Sequence, residues 1–222
     1  MQTVWSVKGG AGVTVVAATL AAGWARRGDD ALLVDLCGDA PAVLGLPEPS
    51  GPGVRDWLAT DDAAPGALDR LVVPVADRLS LLPSGSRISG PWSQVRSEEL
   101  ARVLAGRPGR VVVDAGTCGG PAVGPAQDEL VAALAGHGPS VLVTRPCYVA
   151  LRRAVSVDVA ADAVVLVREQ GRSLDARDVA DVLGLPVLAE VDVDPALARA
   201  VDAGLLTRRA HRVLERSMRE LW

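Results

Sequence analysis

One short segment collects residues suited to holding a phosphate chain. Val7-Lys8-Gly9-Gly10-Ala11-Gly12-Val13-Thr14 stands between an apolar run at residues 3–7 and a long Ala-rich run at 13–27. Where a strand turns into a helix like this, successive backbone N–H groups and the positive helix end converge on one spot that favours an anion. Glycine is needed there because a side chain would block the phosphate. A standard phosphate loop ends in Gly-Lys-Ser/Thr, its lysine reaching the β and γ phosphates and its hydroxyl reaching magnesium. Here Val13 stands at the lysine position, Thr14 keeps the hydroxyl and Val15 leads on into the helix. Asp35 and Asp114 each close an apolar run. One hydroxyl and two carboxylates, acting directly or through water, are an oxygen set that magnesium accepts, though a Thr at a helix start and an Asp at a strand end are also common caps. Lys8 is the single lysine, since 22 of the 23 basic residues are Arg. A compact ammonium on a flexible stem and a planar guanidinium are not interchangeable at a crowded phosphate, so Lys8 reads as phosphate-directed rather than as a solvated charge before a tight turn.

The elements that must position these groups follow from the hydrophobic pattern. Strands are expected at 3–7, 31–36, 71–73, 79–82, 110–114, 140–144, 163–167 and 186–191, mostly as continuous apolar runs, as in strands buried on both faces. Helices are expected at 13–27, 54–58, 98–105, 128–135, 148–155, 176–183, 195–203 and 206–221, with Asp194-Pro195 opening the last but one. The alternation predicts a single α/β domain, a doubly wound and mostly parallel sheet with helices on both faces. In that architecture the loops at the carboxyl ends of the strands form the ligand crevice, where Val7, Asp35 and Asp114 come together. Two Gly/Pro-rich segments, 38–53 and 117–127, follow the Asp-ended strands.

Composition narrows the function. The 222 residues are 49% hydrophobic and 23% charged, with five Trp, one Tyr, no Phe and a net charge of -4. So few aromatics make a poor base-stacking platform, and the acidic balance disfavours a DNA-binding role. Cys37, Cys118 and Cys147 are odd in number and fit neither a disulfide framework nor zinc spacing. A reducing cytoplasm is the expected home, with no secretory signal visible.

With its Lys8-Gly9-Gly10 start, the loop resembles the deviant phosphate loop (deviant Walker A) of the ParA/MinD family, Lys-Gly-Gly-x-Gly-Lys-Ser/Thr. Further segments resemble the family in order along residues 3–204: Leu32 to Leu36 its second strand, Ala42 to Leu46 a MinD-like stretch, Leu81 to Gly85 its Leu-Pro-x-Gly turn and Val111 to Asp114 its Walker B strand. Val141 to Leu151 is similar to its next strand and turn, and Asp194-Pro195 with Ala200-Val201 and Gly204 to its C-terminal pattern. The resemblance implies a P-loop NTPase fold over 1–204, an ATP-dependent homodimer in which Lys8 reaches the partner's phosphates, ATP and magnesium as cofactors, nucleotide contacts from Lys8 to Val15, and metal contacts from Thr14, Asp35 and Asp114.

Two departures from the family concern the chemistry. Val13 can neither donate a hydrogen bond nor offset phosphate charge. Cys37 stands where the family's Asp-x-Asp places the carboxylate that positions the attacking water, and a thiol is a poor acceptor for it. Asp39, two residues on, is the one nearby substitute. Arg168 replaces an Asn that reads the adenine edge in many members; it either stacks on the base or points to solvent. The expectation is a ParA/MinD-like positioning or assembly protein, of the kind seen among TadZ/CpaE-type pilus-localisation proteins. Hydrolysis would be lost, ATP binding weakened or absent, and an unidentified protein partner engaged. The alternative is an active dimeric switch ATPase with a non-standard loop. Residues 205–222 carry Arg208, Arg209, Arg212, Arg216 and Arg219 against an apolar stripe ending in Trp222. This basic amphipathic helix either lies on the inner face of a membrane or packs as the last helix of the same domain.

Overall fold

The computed structural model describes residues 1–85, 92–120, 123–193, 195–204, 206 and 218. Its strands are β1 (Gln2–Ser6), β2 (Ala31–Asp35), β3 (Val73–Ala76), β4 (Leu79–Leu82), β5 (Arg110–Thr117), β6 (Ser140–Thr144), β7 (Ala163–Arg168) and β8 (Val187–Asp192). The helices are α1 (Val13–Arg26), α2 (Ala40–Leu44), α3 (Val54–Leu58), α4 (Gln94–Ala105), α5 (Pro125–Gly136), α6 (Tyr148–Ser156), α7 (Ala176–Leu183) and α8 (Pro195–Asp202), with a 3₁₀ helix over Pro65–Leu71.

The strands form one sheet in the order β3-β4-β2-β5-β1-β6-β7-β8, parallel except for the β3–β4 pair. Because side chains alternate across a strand, continuous apolar runs divide between the two faces. Val4 and Leu33 fall on the face covered by α1, α2 and α8, whereas Trp5, Leu32 and Val34 fall on the face covered by α3 to α7. Ala17, Ala18, Ala21 and Ala22 let α1 lie close on the central strands. The buried Trp5 indole donates to Ser140 Oγ at 2.8 Å, which ties β1 to β6 without an unpaired donor.

The doubly wound α/β expectation is met, and five local expectations are corrected. The strand expected at 71–73 starts at Val73, because Leu71 belongs to the 3₁₀ helix. It is an antiparallel edge strand, the one place in a sheet where Pro74, without an N–H, is tolerated. Helix α2 lies inside the Gly/Pro-rich segment expected to be loop, with Pro41 in its first turn and Gly45 ending it at φ 72°. Helix α4 begins four residues before 98, with Ser93 as N-cap accepting from the Arg96 amide. Strand β5 runs past Asp114 to Thr117, and α5 starts at Pro125 rather than 128. Asp194 and the helix expected over 206–221 lie outside the described residues, apart from Leu206 and Met218, both buried in the α1-side core. Among the described residues, no helix is long and apolar enough to cross a membrane.

Candidate functional site

Strand β1 is flanked by β5 and β6, so the turn that follows it opens at the point where the chain's crossovers change direction. Ser6 shapes this turn: its hydroxyl donates to the Lys8 carbonyl at 3.0 Å and accepts the Lys8 N–H at 3.2 Å. Gly10 and Gly12 take φ of 75° and 100°, a region L side chains avoid. A Cβ on Gly9 or Gly10 would meet nothing within 4 Å, so the space in front of the loop is open. The first α1 bond runs from the Val16 N–H to the Gly12 carbonyl at 3.0 Å. The loop therefore has the form of an anion cradle whose side-chain chemistry is thin. Lys8 is exposed, Ala11 and Val13 are buried, and Thr14 and Val15 are half-buried. Val13 packs into the α1-side core at 7% exposure.

Beside this loop, Asp35 and Asp114 are direct neighbours across the parallel β2–β5 pair, both fully buried. Their environments differ. Asp35 Oδ1 accepts the Cys37 and Gly38 amides at 2.9 and 2.7 Å, and Oδ2 accepts the Ala40 amide at 3.2 Å. It is the clasp of the β2–α2 turn. Burial raises its pKa and these three donors pull it back. Asp114 Oδ1 accepts one amide, from Gly116 at 3.2 Å, while Oδ2 is buried with no partner among the described residues. Burial pushes its carboxyl up to about 7, the nearby Thr14 hydroxyl working against that and the Asp35 charge adding to it.

Cys37 completes the cluster. Its Sγ lies 3.7 Å from Asp114 Oδ1, in the space left by Gly116, where a Cβ would collide with the sulfur. Cys37 is exposed as a residue, but its sulfur is turned in against the Asp114 and Asp35 carboxylates; loss of water around the sulfur and those two charges push the thiol pKa up, so at neutral pH it stays protonated. An uncharged thiol with a carboxylate in front of it cannot take a proton from water. Asp39 is exposed at the N-cap of α2 and reaches Asp35 and Cys37 only as a charge. Ligand-type atoms of Asp35, Cys37 and Asp114 lie within 4.8 Å of one another. Of the expected metal oxygens, Asp114 Oδ2, lacking a partner, and the Thr14 hydroxyl suit a magnesium ion best, because the Asp35 oxygens are engaged by amides.

Asp35→Ala should cost about 2–3 kcal/mol in urea denaturation, since three N–H groups in a partly buried turn lose their acceptor. A loss under about 0.5 kcal/mol would mean the clasp holds nothing.

Arg168 is not among the residues lining the two clefts beside the loop. Its guanidinium pairs with Glu190 at 3.2 Å and Asp192 at 3.3 Å on β8, held there by the β7–β8 register. The sequence reading passed over Arg145. It directly follows buried β6 and borders two clefts: one of about 220 Å³ with Ser6, Lys8, Gly9 and Gly10, and an apolar one of about 240 Å³ with Gly12, Val15, Val167 and Val191. A charge at the carboxyl end of a strand next to β1 was the available signal.

No family model matches the sequence, and no curated protein does. Solved structures do match, at 16–22% identity. MinD of Pyrococcus horikoshii, complexed with Mg-ADP, is 21% identical, with a TM-score of 0.77 over 99% of this chain and 94% of that one. The MinC:MinD cell division complex of Aquifex aeolicus gives 19% and 0.78 over 99% and 94%. A ParA family ATPase of Chlorobium tepidum gives 19% and 0.76 over 98% and 94%. The fold is that of the MinD and ParA P-loop ATPases.

Proposed function

We propose that this chain, built on the fold of the MinD and ParA ATPases, is a positioning or assembly protein that keeps the family's triphosphate cradle but has lost hydrolysis and most of its grip on ATP. The observation that carries this reading is one of chemistry inside intact geometry. The loop has its left-handed glycines and open face, yet Val13 is turned into the core and the residue beside Asp114 is a protonated thiol. Missing, therefore, are the loop's own cation on the β and γ phosphates and, beside Asp114, a base or acceptor for the attacking water.

When nucleotide is present, Thr14 and Asp114 would hold a magnesium ion on the phosphates, supplying charge neutralisation. The loop amides would orient the chain, and Lys8 would serve a second copy. Lys8 supports that last role because it is exposed and no ion pair holds its ammonium among the described residues. A homodimer, an unidentified protein partner and a membrane contact through residues 205–222 belong to the same reading.

Purified protein should release no phosphate from ATP above background with magnesium present. Steady turnover abolished by Thr14→Ala would overturn the reading and make the chain a working switch ATPase.

A further inference from the structure

The Val13 substitution leaves a question of charge. A polyphosphate in the loop needs a cation, and a phosphate loop ordinarily provides one from its own last turn. Around this loop the structure supplies another from a different strand. Arg145, at the end of β6, lines both the cleft along Ser6, Lys8, Gly9 and Gly10 and the apolar cleft along Gly12, Val15 and Val167; Ala11 of the loop lines both too, so Arg145 is the charged residue the two clefts share. A group bridging the two clefts passes its side chain.

Three further observations bear on what Arg145 does. Its Nε is buried and has no hydrogen-bond partner among the described residues, so part of the guanidinium fork remains unsatisfied. Its NH1 pairs with Glu169, which fixes the fork in place. Glu169 also takes Arg172 at 2.7 Å, so one carboxylate is shared by two arginines and the trio keeps a net positive charge beside the loop. A planar fork is suited to two non-bridging oxygens of a diphosphate, which a single ammonium is not. The apolar cleft next to it is lined by Val15, Val167, Val191 and Val193 and would take a flat, poorly hydrated group.

We propose that Arg145 replaces the missing loop lysine in trans-strand fashion, so that the site binds the diphosphate of a nucleotide through the Gly9–Gly12 amides and the Arg145 guanidinium. This rests on the cradle reading above and deepens it. It also sets a selectivity: because a fixed guanidinium neutralises the diphosphate, ADP binding needs no magnesium, and adenosine, without phosphates, binds more weakly than ADP.

The test is equilibrium titration of the full chain with a fluorescent ADP analogue in chelator, with adenosine and ADP as competitors and thermal unfolding followed in parallel. Arg145→Ala should weaken ADP binding by about tenfold to a hundredfold and leave adenosine competition unchanged. Arg145→Lys should recover part of that loss, since it restores charge without the fork. Glu169→Gln, which releases the fork, should hold or tighten binding. Equal ADP affinity in wild type and Arg145→Ala, with both folded, overturns the assignment. So does a wild type that binds nothing while Val13→Lys binds, an outcome that leaves the cradle reading standing. If neither wild type nor Val13→Lys binds ADP, the cradle reading fails and takes this assignment with it.

Discussion

Val13→Lys should tighten ATP binding by roughly a hundredfold, and the double variant with Cys37→Asp should add slow, magnesium-dependent hydrolysis. The first figure follows from restoring a charge-assisted contact to the β and γ phosphates, worth ~2–5 kcal/mol by analogy with truncated charge pairs. The loop already has the backbone that a lysine needs: glycines at φ 75° and 100°, and an α1 whose first bond closes on Gly12. Val13 is buried, but a lysine has a long apolar stem that can follow the valine's path and bring its ammonium out at the loop. Cys37→Asp would place a carboxylate in the space beside Gly116, next to Asp114, and would repel it unless magnesium is present. Fluorescence titration and phosphate-release assays on both variants check this. Unchanged ATP affinity in Val13→Lys would show that more of the cradle has been lost than one charge.

The second large effect concerns pH. The Asp114 carboxyl is pushed from its ordinary 3.8 up to about 7 because it is buried, with one oxygen unpaired. The folded protein therefore binds this proton more tightly than the unfolded chain does. Stability from this source is fully present below pH ~4 and is lost as pH rises to about 7, a change on the order of 4 kcal/mol. Asp35, raised in the same direction by burial, adds to the slope. Asp114→Asn removes the titrating group while keeping the acceptor for the Gly116 amide. Urea denaturation in chelator at pH 5 to 8 should show wild type weakening with pH and the variant nearly level, more stable than wild type at pH 8. A wild type that gains stability over that range, or a variant with the same slope, would contradict the account. An unpaired buried carboxylate is a poor stabiliser on its own, and its retention fits an oxygen kept for a cation.

How much of this was legible in the sequence differs by element. The central strands were readable because they are buried on both faces and appear as unbroken Val/Leu runs, and the strand-to-helix turn at Gly9 to Gly12 announces itself by glycine spacing. Helix α2 was not readable: its five residues include a proline and sit between glycines, and it is held by the Asp35 clasp and by packing of Val43 and Leu44 on α1 rather than by propensity. Strand β3 was displaced by two residues because a Val/Pro edge carries little pattern of its own. At the site, Val13 and Cys37 were visible as residue types, but their consequences were not. That Asp35 holds three amides while Asp114 has an oxygen with no partner is a matter of turn geometry. Arg145 went unnoticed because a single arginine after a strand gains meaning only when sheet order places that strand next to β1.

Calorimetric titration of ATP into the full chain, with and without magnesium, tests the central claim most directly. A cradle that retains its backbone but has lost the loop lysine should give binding weaker than micromolar both with and without magnesium, and a tighter isotherm after Val13→Lys. Micromolar or tighter binding by the wild type in either condition would contradict it.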